Sequence, residues 1–519
     1  MKHINLPFIV FFAQSIIWSI NSNLSSNTIA KPYNDDLSNN SDSITLFEWK
    51  SEVREEANND LFFYDQRPDV KRYKEVILTD IYSIINHTAV LQLPLFENAQ
   101  YNATIEKNYI HSNGSIGFQA VINGLPYASF LFSSTGQRSL GIINLPSENT
   151  QYKIISCPNT HKHYVLELVL SELDELPEKD HLLPPPPSNS VIREQQKIQE
   201  KIMKRNLGPN DIANIDVMVV YTYAAKTWAN NSGGGIENVV ALAMEQAVLS
   251  HNNSETLIKM NLVYSAEVPY AESGSSTDDL INLTNGTGQL AVVHDWRDEY
   301  GADLVAMFTD VQDTGGLAWL LNTTEGRPDI AFSITRVQQA TGLTHAHEMG
   351  HNMGCHHHKE QNFQPGPGLF SYSAGWRWTG EDFNYYCDLM TYSSGSYFSD
   401  GINHVNVPFF SNPNIAYQNE PTGDAFDGDN ARTLKEIKHV IAAYRESTAP
   451  PEEITGDVNS DGTVNLLDVI MLVNHIIGNN PSGFNADAAD VNSDGVIDIN
   501  DVVETINIIL HIKIKKHKN

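Results

Sequence analysis

The stretch THAHEMGHNMGCHHH constrains the fold most, because it places histidines at metal-ligand spacing. It reads as a helix, so His347 and His351, four residues apart, lie on one helical face and can bind one zinc ion. Glu348 lies beside the metal position, where it can take a proton from a bound water. Gly354 can end the helix with positive φ, and His357 can then supply a third nitrogen. Catalytic zinc keeps three protein ligands and one open position, so the pattern HExxHxxGxxH predicts a hydrolytic zinc site.

Three more histidines in this stretch, His345, His356 and His358, are interpreted as neighbours of the metal rather than ligands. The alternative for the whole cluster is a closed structural zinc site. Closed sites favour cysteine ligands, and such a site would leave Glu348 without a role.

The segment HEMGHNMGCHH resembles the zinc helix of the metzincin metallopeptidases, especially the reprolysin-like (adamalysin-like) group. That family has a methionine turn beneath the zinc, which CDLMTYSSG would supply with Met390. Tyr392 stands where astacin-like and serralysin-like members place a tyrosine near the metal. Reprolysin-like members generally lack that tyrosine, so a catalytic role and ordinary packing both remain open for it. The resemblance covers residues 212–447.

The order of strand-like and helix-like segments from IDVMVVYTYAAK onward predicts helices packed on a mostly parallel sheet. With the resemblance, this implies an α/β metzincin catalytic domain that hydrolyses peptide bonds of proteins with one zinc ion. Glu348 would be the general base, and Tyr392 a candidate for stabilising the oxyanion. Substrates would lie extended along a sheet edge near GGLAWL. The alternatives are an inactive peptidase-fold adhesion or scaffold component, and an exopeptidase.

The region before this domain is expected to direct export and to keep the enzyme latent. Residues 1–23 combine a basic start with an apolar run shorter than the ~20 residues of a membrane span, which favours a secretory signal peptide over an anchor. Residues 24–190 read as a mainly β unit, interpreted from its position as a pro-domain. Residues 191–211 are expected to be a linker that begins as a charged helical stretch. We therefore expect an extracellular zymogen whose mature form has no membrane span.

Three cysteines allow at most one internal disulfide. If Met390 lies under the zinc, Cys355 and Cys387 are both near the site, and we predict a disulfide between them, with two buried thiols as the alternative. Cys157 is interpreted as a core residue, although a latency role as a zinc-binding thiolate stays open.

Two copies of a twelve-residue acidic pattern near the C-terminus have the spacing of a calcium loop. The ligands of the first loop would be Asp457, Asn459, Asp461, the carbonyl of Thr463, Asn465 and Asp468. Those of the second would be Asp490, Asn492, Asp494, the carbonyl of Val496, Asp498 and Asp501. Two in-register copies predict two calcium ions.

Each calcium loop is followed by one evident helix, and this duplicated half-hand resembles a dockerin module. The expected small α module covers residues 456–512, after a linker over residues 448–455. In that family the module binds a cohesin domain on a scaffold or cell-surface protein, often through loop positions 10 and 11. Those positions are Leu466-Leu467 and Ile499-Asn500 here, unlike the Ser-Thr pair of some dockerins, so the partner type stays open.

The charge balance excludes one class of partner. Lys plus Arg number 33 against 63 Asp plus Glu, which gives a formal charge of -30. Such a surface repels phosphate backbones, so we expect no nucleic-acid partner.

Overall fold

The computed structural model describes residues 43–509 except 51–66, 88–89, 97–98, 137, 158–161, 171–179, 206, 449–454, 460–463, 480, 482–483 and 493. The expected signal peptide therefore lies outside the described residues, as do most of the linker predicted at 448–455 and the last three residues of the predicted module. Within the described part of the chain, no helix is long and apolar enough to cross a membrane.

A ten-stranded sheet forms the N-terminal unit, with strand order β1-β4-β5-β6-β7-β8-β9-β10-β3-β2. Neighbouring strands pair antiparallel, except that β1 and β4 run parallel. The strands are β1 Ser43–Thr45, β2 Phe47–Trp49, β3 Val70–Leu78, β4 Val90–Leu95, β5 Ala99–Ile110, β6 Ile116–Ile122, β7 Ser129–Ser134, β8 Ser139–Leu145, β9 Thr150–Ser156 and β10 His163–Val169, with helix α1 at Ile81–His87. This β-rich unit agrees with the sequence expectation.

A six-stranded sheet carries the zinc-binding motif, with order β11-β15-β16-β14-β12-β13. Its strands are β11 His181–Leu182, β12 Ala213–Tyr221, β13 Ile258–Glu267, β14 Leu304–Thr309, β15 Gly316–Trp319 and β16 Phe332–Arg336. Only β15 and β16 pair antiparallel. Strands such as β12 are almost continuously buried, as expected where both faces of a parallel sheet are covered. The two-residue strand β11, just before the proline run, pairs with β15 and covers its outer edge.

Seven α-helices accompany this sheet in the described residues: α2 Asn189–Arg205, α3 Tyr223–Ser232, α4 Ile236–Asn253, α5 Ser276–Asn285, α6 Ala291–Glu299, α7 Thr344–Asn352 and α8 Asn430–Ile441. A 3-10 turn lies at Pro328–Ile330. Further 3-10 turns lie at Pro146–Glu148, Gly288–Leu290 and Gly395–Tyr397. Five short strands follow the zinc-binding motif: β17 Arg377–Thr379, β18 Tyr385–Cys387, β19 Val405–Asn406, β20 Ala416–Tyr417 and β21 Glu420–Pro421. The segment expected to be a linker thus begins as helix α2, which packs against α8.

The N-terminal sheet and the zinc-binding region share one apolar core. Leu131 on β7 belongs to the same buried cluster as Val239 and Ala243 on α4. Its neighbours Phe130 and Phe132, on the opposite face of β7, belong to the separate core of the N-terminal unit. Both faces of β7 are therefore buried, which explains why this strand shows no polar alternation.

The C-terminal module consists of α9 Leu466–Ile476, α10 Ala486–Ala489 and α11 Ile499–Ile509. Its small core contains Val458, Val469, Leu472, Ala489 and Val502. As predicted, one helix follows each acidic loop.

Candidate metal centre

Three imidazoles converge at one point. His347 and His351 project from α7, and the chain turns back after Gly354 to bring in His357. Gly354 has φ +86°, and a Cβ there would lie 2.8 Å from Cβ of Leu369, so the turn requires glycine. Nε2 of His351 lies 3.1 Å from Nε2 of both other histidines, which are 3.3 Å from each other. The fold thus brings together the three histidines that the spacing in the sequence singled out.

Backbone carbonyls fix the tautomer of all three rings. Nδ1 of His347, His351 and His357 lies 2.7, 3.0 and 2.7 Å from the carbonyl oxygens of Leu389, Cys355 and Gln364, respectively. A carbonyl only accepts, so each Nδ1 carries the proton and each Nε2 directs a lone pair to the centre. Three neutral imidazole donors are the ligand set of catalytic zinc.

A carboxylate that the sequence did not single out also reaches this centre. Oδ2 of Asp180 lies 2.8 Å from Nε2 of His357 and 3.2 Å from Nε2 of His347, and Oδ1 lies 3.8 Å from Nε2 of His351. Electron-pair donors this close repel one another unless a cation lies among them, so three nitrogens and one oxygen fit a zinc ion.

The segment that carries Asp180 is held by two sets of hydrogen bonds. The N–H groups of Ala318 and Leu320 donate to the carbonyls of Asp180 and Leu182 at 2.9 and 3.0 Å. The side chain of Gln364 accepts from the N–H of Asp180 at 3.1 Å and donates to the carbonyl of His181 at 3.0 Å. No local spacing in the sequence indicates either Asp180 or Gln364, because they meet only through the tertiary fold.

Glu348 lies next to the metal centre and is 1% exposed. Its Oε2 has no hydrogen-bond partner among the described residues. Burial, and then the negative charge of Asp180, raises the pKa of Glu348 well above its usual range. A Cβ on Gly316 would lie 2.1 Å from Oε1 of Glu348, so the absence of a side chain on β15 makes room for this carboxyl group. The carboxyl group of Glu348 is therefore buried against β15, one residue along α7 from His347.

Met390 and Tyr392 flank the imidazoles. Met390 is fully buried, and its sulfur would lie 2.7 Å from a Cβ built on Gly350 of α7, which places the thioether directly against the ligand helix. The hydroxyl of Tyr392 donates to Oδ2 of Asp180 at 2.5 Å, and its ring centroid is 4.9 Å from that of His357. Tyr392 therefore contacts the centre rather than only packing beside it.

The predicted disulfide between Cys355 and Cys387 does not form, and this prediction is corrected. The sulfur of Cys355 lies 3.8 Å from the carbonyl oxygen of Asn430, whereas that of Cys387 lies 3.8 Å from the carbonyl oxygen of Thr391. The side chain of Asn406 donates to the sulfur of Cys387 at 3.2 Å. The two thiols thus face different partners, which favours the alternative of buried thiols.

The other candidate residues of the catalytic region lie outside the centre. Cys157 is buried in the apolar core that joins the two units. His345 is buried with neither ring nitrogen hydrogen-bonded among the described residues. Nδ1 of His356 accepts from the N–H of His357, and Nδ1 of His358 accepts from the N–H of Glu360. These contacts agree with the interpretation of the three histidines as neighbours.

The two acidic loops repeat one hydrogen-bond pattern. In the first, the carboxylate of Asp468 accepts from the N–H groups of Asn459 and Asn465 at 3.1 and 2.8 Å. In the second, Asp501 accepts from Asn492 and Asp498 at 3.2 and 2.8 Å. Of the remaining predicted ligands, the structure describes Asp457, Asp490, Asp494 and Val496, whereas Asp461 and Thr463 lie outside the described residues. Loop positions 3, 9 and 12 therefore have equivalent roles in both copies.

Comparisons with known proteins agree with both assignments. Residues 212–400 match the family described as Metallo-peptidase family M12, and residues 455–510 match the Dockerin type I domain. A Peptidyl-Asp metalloendopeptidase of Xanthomonas campestris pv. campestris is 33% identical over 45% of this chain and 52% of its own length. One from Pseudomonas aeruginosa is 29% identical over 47% of this chain and 42% of its own length. The chain spans about half the length of the curated relatives it matches. Metalloproteinase-II from Bacteroides fragilis is 11% identical, with 55% of this chain and 85% of that chain covered and a TM-score of 0.36.

Proposed function

Because the chain carries a metallopeptidase domain of family M12 followed by a type I dockerin domain, we propose that it is a secreted zinc-dependent endopeptidase of proteins. The observation that carries the proposal is the convergence of three Nε2 atoms within 3.3 Å of one another beside a buried glutamate. His347, His351 and His357 would hold one zinc ion, with Gly354 and the methionine turn as structural supports.

The residues around the centre have separate roles in the proposed hydrolysis. A zinc ion held by His347, His351 and His357 would supply the Lewis acid for the scissile carbonyl. Glu348 takes a proton from the attacking water and delivers it to the leaving amine. Tyr392 points its hydroxyl at the centre, where it can donate to the developing oxyanion once Asp180 has left.

We also propose that the N-terminal unit is a pro-domain and that the described structure is the latent precursor. The carboxylate of Asp180 takes the position that catalytic zinc keeps open for water, and β11 fills the sheet edge along which a substrate would lie. The proposed division is a signal peptide at 1–23, the pro-domain at 24–190 and the catalytic domain at 212–447. Asp180, rather than Cys157, is the group that keeps the enzyme inactive.

The C-terminal module is proposed to dock the enzyme onto a cohesin-type partner with two calcium ions bound. At loop positions 10 and 11, Leu466 and Leu467 are 55% and 60% exposed, and Ile499 is 62% exposed. Aliphatic side chains this exposed on so small a module favour a partner with an apolar surface. From the name of the relatives, we further propose that the substrate of this chain has an aspartate beside the cleaved bond.

Glu348→Gln tests the catalytic proposal, because the amide keeps the shape of the side chain but cannot accept the proton. The zinc-loaded variant should retain one bound zinc and lose cleavage of a peptide library containing aspartate, after limited proteolysis to remove the N-terminal unit. Glu360→Gln, exposed in the segment that follows His357, is the control and should cleave normally. Full activity of Glu348→Gln would exclude this mechanism, and an inactive wild-type enzyme with zinc bound would exclude the function.

A further inference from the structure

The side chain of Gln364 hydrogen-bonds two main-chain groups of the segment in the cleft, and its Nε2 also lies 3.4 Å from Nε2 of His181. Its amide accepts from the N–H of Asp180 and donates to the carbonyl of His181, whereas the N–H groups of Ala318 and Leu320 donate to the carbonyls of Asp180 and Leu182. We propose that Gln364 is a substrate-positioning residue, whose amide binds the backbone of an extended peptide after the Asp180 segment has left. This inference rests on the proposed peptidase function and names a residue that holds its substrate.

The chemistry of the contact suits any peptide sequence. Every peptide unit offers one N–H and one C=O, and a primary amide offers an acceptor and a donor side by side. The same side chain can therefore pair with a backbone that runs in either direction. The N–H groups of Ala318 and Leu320 would hold the other side of the peptide, as they hold the segment from Asp180 to Leu182. Together, Gln364 and these two N–H groups would keep the scissile bond beside the three imidazoles.

The backbone of Gln364 links this contact to the metal centre. Its φ is +42°, a left-handed conformation that non-glycine residues rarely adopt. In that conformation the carbonyl oxygen of Gln364 accepts from Nδ1 of His357 at 2.7 Å, while the side chain reaches the strand in the cleft. Glycine would supply the carbonyl without strain, so the presence of a long amide side chain points to a role for that side chain.

The substitution Gln364→Gly separates these two roles, because it keeps the positive φ and the carbonyl but removes the amide. Gln364→Glu keeps an acceptor and loses the donor, and Gln364→Asn keeps an amide too short to reach. Gln418→Gly is the matched control, since Gln418 also has positive φ, at +53°, in the loop between β20 and β21.

The full chain, loaded with zinc and activated by limited proteolysis to a constant rate, is assayed with an eight-residue quenched-fluorescence peptide. We expect Gln364→Gly to raise KM about tenfold, the effect of losing one or two net hydrogen bonds, with kcat within about twofold. Gln364→Glu and Gln364→Asn should fall between this variant and the wild type. Bound zinc and the melting temperature should match those of Gln418→Gly.

Binding of the synthetic peptide EKDHLLP, which repeats residues 178–184, gives a second measurement that does not depend on hydrolysis. Its dissociation constant should rise about tenfold in Gln364→Gly. An unchanged KM would overturn the proposal and limit the role of Gln364 to holding the Asp180 segment in the precursor. A loss of bound zinc parallel to the loss of activity would also overturn it, because the role of Gln364 would then be to orient His357. If wild-type enzyme binds EKDHLLP but cleaves nothing, the proposed function fails while the peptide contact is still tested.

Discussion

Replacing Asp180 by alanine should release catalytic activity in the uncleaved chain. The carboxylate of Asp180 lies 2.8 Å from His357 and 3.2 Å from His347, and it accepts from the hydroxyl of Tyr392. In the zinc-loaded chain this carboxylate would face the cation, and removing one partner from a buried charged pair costs about 3 to 5 kcal/mol. The imidazoles left behind face the cleft and can be rehydrated, so the lower end of this range applies. About 3 kcal/mol corresponds to a roughly 150-fold shift between closed and open forms.

The assay is the initial rate of peptide hydrolysis by the full-length, zinc-loaded chain, with gels to show that it remains uncleaved. Asp180→Ala should raise this rate by up to roughly 150-fold, whereas Asp180→Asn, which keeps the shape, should have a smaller effect. Glu106→Ala, an exposed change in β5 of the same unit, is the control and should leave the chain latent. If the uncleaved Asp180→Ala chain is as inactive as wild type while Glu348 and zinc are intact, the carboxylate is not what holds the enzyme latent.

Three further predictions follow from single contacts. Gly316→Ala should reduce kcat by about a hundredfold or more with zinc retained, because the Cβ of the new alanine would lie 2.1 Å from Oε1 of Glu348. A normal kcat would show that the carboxyl group can move aside. Asp501→Ala should abolish the calcium-dependent gain of helicity in circular dichroism, since Asp501 accepts from two loop N–H groups, whereas exposed Asp487→Ala should not. Burial, aided by a nearby arginine, lowers the pKa of Lys153 to about 7 in the folded state. Between about pH 7 and 10, Lys153 is therefore protonated in the unfolded state but not in the folded state, so the free energy of unfolding of the wild type should rise with pH. Lys153→Met should flatten that rise in denaturant melts at pH 7 and 9.5, and an unchanged slope would contradict the low pKa.

The three imidazoles could be predicted because their spacing is local. His347 and His351 share a helical face, and Gly354 makes a turn that only glycine fits, so eleven consecutive residues specify the donor set. The two calcium loops were recognisable for the same reason. Asp180 could not be predicted, because it lies 167 residues before His347 in the chain and reaches it only through the pairing of β11 with β15.

The disulfide prediction failed for a related physical reason. Nearness to one site does not fix the direction of a side chain, and a disulfide needs two Cβ atoms about 4 Å apart and suitably oriented. Cys355 follows the turn at Gly354 and faces the carbonyl of Asn430, while Cys387 ends β18 and faces Thr391. The expected position of Met390 suggested that both residues lie near the centre, but it carried no information on where their sulfur atoms point.

In the proposed precursor, opening the centre and releasing the N-terminal unit would be separate steps. Asp180 reaches the centre next to a short edge strand, whereas the ten-stranded sheet shares an apolar core with α4. Glu245 on α4 is 2% exposed and lies 3.2 Å from Nε2 of His111 and 3.6 Å from Nζ of Lys107, so it is covered by the N-terminal sheet. Since Asp180 takes no part in these contacts, the proposal predicts that its loss would uncover the imidazoles while the sheet stays bound.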